Sequence, residues 1–342
     1  MLLGHGNDGY RLGRALRADF STNVPPGGPP AHLREHLAAA FEGIGDYPDA
    51  AAESFVLAVA AAEGVPALNV GATNGAVAAI HQLAQVWSGR RSAIAVPAFS
   101  EYEDAARLRG HELVFFPAAE LAAGALPAAD IVWLANPNNP TGAVWPRDVL
   151  LALIDAHPRT TFVVDLAYAP LCEEPPLRAA DAVVRRNLVL LLSFTKRFAI
   201  PGLRLGALVG PPELVADVVA CGGPWAVNSL ALAAGRFLLG RAAADEAPWR
   251  AALLQESRRL QAALAALPQL EVRRSATNYF LVRTRRGTGA ELRRRLVDEH
   301  GLLVRDVANF RGLDADSVRI AAQTPRENGW LEEALAQWST RG

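Results

Sequence analysis

Leu188-Val-Leu-Leu-Leu192 runs directly into Ser193-Phe-Thr-Lys196-Arg-Phe-Ala-Ile-Pro-Gly-Leu-Arg204-Leu-Gly206. A short apolar run that ends in hydroxyls, a lone lysine and a Pro-Gly break reads as a strand buried on both faces, its carboxyl end opening onto polar chemistry. Similar runs at residues 92–96, 112–116, 131–134, 161–164 and 207–209 are mostly followed by Pro, Gly, Asn or Asp, and helical patterns fill the intervals. That alternation predicts an α/β fold with a mainly parallel sheet. Beyond residue 245 the texture changes to a long Ala/Leu/Arg helix, then short strands at 271–272, 279–283, 303–305 and 318–321 between helices. The expected organisation is an N-terminal segment (1–44) lying across both units near the cleft, a large unit (45–245) and a smaller α+β unit (246–342). The Pro/Gly-rich beginning is expected to form no core.

Composition bounds the function. The 342 residues are 51% hydrophobic and 20% charged, with 34 Lys plus Arg against 35 Asp plus Glu. No net field favours nucleic acid or an acidic membrane surface, so the expected partner is a small molecule. Cys172 and Cys221 lie far apart without metal-ligand spacing, which predicts packing residues, no metal and no disulfide. Neither a leader nor a run of about 18 apolar residues is visible, and the expected location is the cytoplasm.

Chemistry gathers at strand ends, where open α/β sheets hold ligands. A lone lysine after a strand is commonly a solvated charge. Lys196 differs in its company: apolar walls favour the neutral, nucleophilic amine, and Ser193, Thr195 and Arg204 supply the donors a phosphate requires. Ser-x-x-Lys also occurs in penicillin-binding enzymes, but their Ser-Asp-Asn and Lys-Thr-Gly partners are absent. The run Asn136-Pro-Asn138-Asn139-Pro140-Thr141-Gly142 is a rigid turn able to present an amide. Asp165 ends a buried strand, in Asp165-Leu-Ala-Tyr168, and calls for a cationic partner such as a protonated pyridine nitrogen.

Taken together and in order, these segments resemble the fold-type I aminotransferase superfamily over nearly the whole chain. The resemblance implies a large domain with a mainly parallel seven-stranded sheet between helices, a smaller α+β domain, and pyridoxal 5′-phosphate (PLP) carried on Lys196. By the same resemblance Asp165 pairs with the pyridine nitrogen, Asn139 and Tyr168 contact the ring hydroxyl, and Tyr102 stacks on the ring. Thr73 and Asn74, in Gly71-Ala-Thr-Asn-Gly75, would bind the phosphate with Ser193 and Arg204. Tyr47 would reach it from a second subunit, implying a homodimer with shared active sites.

Within the superfamily the chain is most similar to the threonine-phosphate decarboxylases of cobalamin biosynthesis, relatives of histidinol-phosphate aminotransferase. The strings that carry this likeness are His5-Gly6, Asp19-Phe-Ser-Thr-Asn23, Tyr47-Pro-Asp49, Phe99-Ser-Glu-Tyr102, Pro224-Trp-Ala-Val-Asn228 and Ala308-Asn-Phe-Arg-Gly-Leu-Asp314. It implies a phosphorylated amino acid held by His5, Arg305 and Arg319, with Asn23 nearby. The implied reaction is PLP-dependent decarboxylation of O-phospho-L-threonine to (R)-1-amino-2-propanol phosphate. The alternatives are an aminotransferase of the histidinol-phosphate type or decarboxylation of a related amino acid. Three positions depart from the pattern: Asn7, Leu166 and Gln323. Asn7 and Gln323 are expected to alter the substrate end of the pocket.

Overall fold

The computed structural model describes residues 6, 8–173 and 177–340. Its strands, in chain order, are β1 (Ala18–Asp19), β2 (Val70–Thr73), β3 (Arg91–Val96), β4 (Glu112–Pro117), β5 (Ile131–Ala135), β6 (Thr161–Asp165), β7 (Leu188–Ser193), β8 (Gly206–Val209), β9 (Leu270–Arg273), β10 (Tyr279–Thr284), β11 (Leu302–Leu303), β12 (Arg305–Asp306) and β13 (Ser317–Ala321). Seven of them form the central sheet in the order β2-β8-β7-β6-β5-β3-β4. Strands β3 to β7 run parallel, and β8 is antiparallel to both β7 and β2.

Both faces of this sheet are buried, which explains why its strands are continuous apolar runs rather than alternating ones. Along β5, Val132 and Leu134 pack into one core while Ile131, Trp133 and Ala135 pack into another on the opposite face. The parallel alignment brings the carboxyl ends of β5, β6 and β7 side by side. The chain therefore leaves the sheet at Asn136, Asp165 and Ser193 along one edge, and a ligand crevice forms there.

A second sheet, ordered β12-β13-β10-β9 and antiparallel throughout, buries Phe280, Val282, Val318 and Ile320 against Leu260 and Leu264 of helix Ala242–Ala265 and Leu331 and Leu335 of helix Pro325–Thr340. The N-terminal segment is fastened to this unit. β1 runs parallel to β11, the Ala321 amide donates to the Phe20 carbonyl at 3.0 Å, and Asp8 pairs with Arg293 at 3.0 Å.

Three expectations need correction. β2 was absent from the expected strands; Val-Gly-Ala-Thr is too short and small to signal one, and its pairing comes from β8, far along the chain. The single strand expected at 303–305 is two, β11 and β12, paired in different sheets on either side of Val304. The early segment does join cores: Phe20 packs in the smaller one and Leu33 in the larger, because the Pro/Gly-rich stretch lies between them.

The turn after β5 is fixed from within. The Asn136 side chain donates to the Trp145 carbonyl at 3.0 Å and accepts from the Trp145 amide at 3.0 Å, all buried. Asn136→Ala leaves both Trp145 groups unpaired at about 1–3 kcal/mol each. Urea denaturation of this variant should show a loss of at least about 2 kcal/mol, and a loss within error of zero would refute the anchoring role.

Candidate active site

A cavity of about 410 Å³ opens at the shared strand edge. Its wall contains Asn139, Asp165, Tyr168, Ser193, Thr195 and Lys196 from the ends of β5, β6 and β7. Tyr102 and Phe99 enter from helix Ser100–Leu108 and its lead-in, Arg204 from the approach to β8, Gly6 and residues 21–24 from the N-terminal segment, and Arg319 from β13. Ten sequence candidates thus meet at one place: Asn23, Tyr102, Asn139, Asp165, Tyr168, Ser193, Thr195, Lys196, Arg204 and Arg319.

Asp165 is buried and accepts hydrogen bonds from the Tyr102 hydroxyl and the Ala167 amide, each at 2.8 Å. Burial still pushes its carboxyl above the usual range, against those two donors and Lys196. Tyr102 lies over Trp133, ring centroids 6.0 Å apart and nearly parallel, so its plane is set from behind by the sheet. Lys196 is brought from the ordinary 10.5 to about 8, first by burial, then by Arg319 and Arg204, with Asp165 opposing. A lysine so placed is partly unprotonated near neutrality, as a nucleophilic amine requires.

The far wall is cationic. Arg319 is buried; it donates to the Asn139 amide oxygen at 2.6 Å and to the Ser21 carbonyl at 2.7 Å. Because a guanidinium only donates, the Asn139 oxygen must face it, and the NH2 end is the donor left for the cavity. The Arg319 Nε is buried without a partner among the described residues. Arg305 does not line the cavity; it stands opposite Arg319 in the β12–β13 register, bonded to Asn309 at 2.8 Å and brought down to about 10 by burial and then by Arg319. Burial raises the Tyr168 phenol, while Arg319 and the Asn23 amide oppose the rise.

At the other end, helix Ala76–Val86 begins at Gly75 (φ 81°) with no side chain capping it. A Cβ at Gly75 would stand 2.7 Å from the Arg204 Nη2, so only glycine lets this guanidinium lie against the helix start. Free amides, a helix N-terminus, Arg204 and the Ser193–Thr195 hydroxyl pair (2.8 Å) together form an anion cradle. Hence the cavity offers an anion cradle, a neutral-prone amine and a buried carboxylate that lacks a cation in hydrogen-bond range. Those are the groups a phosphorylated pyridine aldehyde needs, so the residues present fit PLP.

Other candidates stand off this wall. Thr73 is buried with its hydroxyl turned to the Gly75 carbonyl at 3.1 Å, and Asn74 is exposed. Tyr47 is 81% exposed and rests on Trp225 at 4.8 Å. His5 and Asn7 lie outside the described residues. Gln323 faces a separate cavity of about 670 Å³ beside Pro25–Pro30, with its amide on the Ala321 carbonyl, so its expected influence on the substrate end is not seen. Leu166 is buried in the main core. Ser21, which grips Arg319 through its carbonyl, escaped notice because any residue type can supply a backbone oxygen. Phe99 sat within a quoted string, but its type gave no chemical signal.

The lowered Lys196 has a stability consequence. In cofactor-free protein the unfolded chain binds more protons between pH 8 and 10.5, so stability rises with pH through that window, and the cost is fully present below it. Lys196→Met should therefore stabilise the cofactor-free protein at pH 7 by up to about 3 kcal/mol, with the gap closing toward pH 10.5; urea melts across pH measure this, and equal stability at pH 7 would contradict the buried amine.

Residues 18–335 match the family model described as aminotransferase class I and II. The chain is 33% identical over 329 residues to the threonine-phosphate decarboxylase of Salmonella typhimurium, covering 93% of this chain and 90% of that one. It is 34% identical over 351 residues to histidinol-phosphate aminotransferase 2 of Ralstonia nicotianae, covering 96% and 91%. The crystal structure of L-threonine-O-3-phosphate decarboxylase from Porphyromonas gingivalis superposes with a TM-score of 0.90 at 39% identity, covering 94% and 99%. With the match spanning both large sheets and every lining residue of the cavity except Gly6, the chain belongs to the aminotransferase class I and II family.

Proposed function

We propose that this enzyme uses PLP to decarboxylate a phosphorylated amino acid of the O-phospho-L-threonine class, giving 1-amino-2-propanol phosphate for corrinoid assembly. The observation that carries the proposal is buried Arg319 on the wall of the cavity that holds Lys196, its Nε without a partner among the described residues, with buried Arg305 opposite it in the β12–β13 register. Two desolvated guanidiniums in adjacent strands favour a ligand with more than one negative charge. A phosphorylated amino acid carries both a phosphate and a carboxylate. Similarity to two threonine-phosphate decarboxylases, one of them 39% identical, supports the same choice.

Lys196 would carry the cofactor through its amine, Asp165 would pair with the ring nitrogen, and the Asn139 NH2 with the ring hydroxyl oxygen. Ser193, Thr195, Arg204 and the Gly75 helix start would hold its phosphate. Bound PLP supplies an electron sink for the pair left at the substrate α carbon. Asp165, held by Tyr102 and the Ala167 amide, keeps negative charge beside that sink. Arg319 and Arg305 grip the substrate anions and fix which α-carbon bond is presented, and Lys196 Nζ returns a proton to that carbon after CO2 leaves.

Phe41, Ile44, Tyr47 and Trp225 are large apolar side chains exposed in one copy. We infer that a second copy covers this surface and that Tyr47 completes the neighbouring phosphate cradle. Lys196→Ala and Tyr47→Ala should each be strongly impaired. Mixed after subunit exchange, they should regain about one quarter of wild-type activity, since half the dimers are hybrids with one intact site; no regain would refute sharing of sites.

The reaction is tested by incubating the PLP-loaded enzyme with O-phospho-L-threonine, with and without 2-oxoglutarate. Release of CO2 and aminopropanol phosphate without the keto acid is expected. Glutamate formation with no CO2 would overturn the proposal in favour of the aminotransferase that the Ralstonia relative represents.

A further inference from the structure

Tyr279 is fully buried, lies outside the cavity wall, and touches two residues that form it, Tyr168 and Arg319, and a third, Asn138, that precedes the wall residue Asn139. Its hydroxyl donates to the Asn138 carbonyl at 3.0 Å. Its ring meets Tyr168 edge-on with centroids 4.7 Å apart, and the Arg319 guanidinium lies 5.8 Å from its centroid. Tyr279 and Arg319 also belong to adjacent strands: Tyr279 pairs with Ala321, and Leu281 with Arg319. One rigid ladder therefore grips two consecutive residues of the turn, Asn138 through its carbonyl and Asn139 through its amide oxygen. At Asn138 itself the other ties, its side chain to the Pro97 carbonyl and Thr141 and the Gly142 amide to its carbonyl, come from the large sheet's side, while the smaller unit adds one contact further along the turn, from the Ser275 hydroxyl to the Gly142 carbonyl at 3.4 Å.

We propose that Tyr279 is a positioning residue that sets the Asn139 amide toward the cofactor's ring oxygen by holding the Asn138 carbonyl to the smaller sheet. This rests on the cofactor assignment above. A donor aimed at the ring oxygen favours that oxygen's negative charge and so lowers the pH midpoint of the bound cofactor's visible absorption. Loss of one buried hydrogen bond loosens the aim without removing the ring that packs against Tyr168 and Arg319.

The experiment is a pH titration of the visible band of PLP-loaded wild type, Tyr279→Phe, Asn139→Ala and the double variant, with Ser257→Ala as control. Ser257 makes a comparable buried hydrogen bond to the Thr277 carbonyl at 2.8 Å, without contact to the turn. Tyr279→Phe is expected to raise the midpoint, corresponding to an about 3- to 10-fold change in proton affinity. Ser257→Ala should leave it in place, and Tyr279→Phe should add nothing once Asn139 is alanine. An unchanged midpoint, a shift in the control as large as in Tyr279→Phe, or additive shifts in the double variant would each overturn the positioning role alone. Absence of any visible band in the wild type would instead overturn the cofactor assignment on which it rests.

Discussion

Desolvated charge is the constraint around which this molecule is arranged. Among the described residues three cations, Lys196, Arg204 and Arg319, line one cavity against a single lining carboxylate, Asp165, and Arg305 stands opposite Arg319 on the neighbouring strand. Burying ions is costly unless they are paired, and the shifts of the lysine and both arginines in the direction of proton loss register that cost. Anionic ligands remove the imbalance. The same field favours anions at both ends of the cavity, at Arg204 and at Arg319.

Holding these charges in place requires both sheets. The large sheet delivers Asn139, Asp165 and Lys196 from neighbouring strand ends, but the cationic wall arrives on β13 of the smaller sheet. The seam between them is tight. Gly142 (φ 67°) lies so close to Ser275 that an added Cβ would collide with its hydroxyl, Ser21 bridges to Arg319, and Tyr279 bridges to Asn138. Such contacts link the cofactor-facing amide and the substrate-facing guanidinium through one side chain pair, Asn139 and Arg319, so neither can shift alone.

Much of this was legible in the sequence because parallel strands buried on two faces print themselves as apolar runs, and the residue after each run lands on the ligand edge. Lys196 and Asp165 are legible that way, as is the Asn136–Gly142 turn, within which only the family resemblance picks out Asn139. Contacts made at long range were not. β2 carries no pattern of its own, the break at Val304 depends on which sheet each neighbour joins, and Tyr279 reads as an ordinary strand aromatic until its hydroxyl is seen on a carbonyl 141 positions away. Gln323 was singled out only as a departure from the decarboxylase pattern; the chain has left β13 by that point and turned toward helix Pro325–Thr340, and the side chain lines the cavity beside Pro25–Pro30.

A lysine, an aspartate and an anion cradle at three strand ends serve several reactions equally well, and both decarboxylases and aminotransferases are among this chain's relatives. Their shared frame cannot distinguish which α-carbon bond breaks. That distinction belongs to the wall opposite Lys196, where Arg319 has two of its N–H donors committed to Asn139 and Ser21 and its Nε uncommitted. An anion binding there has only the remaining donors to choose from, so its approach is restricted before any substrate contact with Arg305. Under the proposed function, reaction choice would turn on how the smaller sheet has already bonded its arginines, and a change in those bonds would redirect chemistry without touching Lys196 or Asp165.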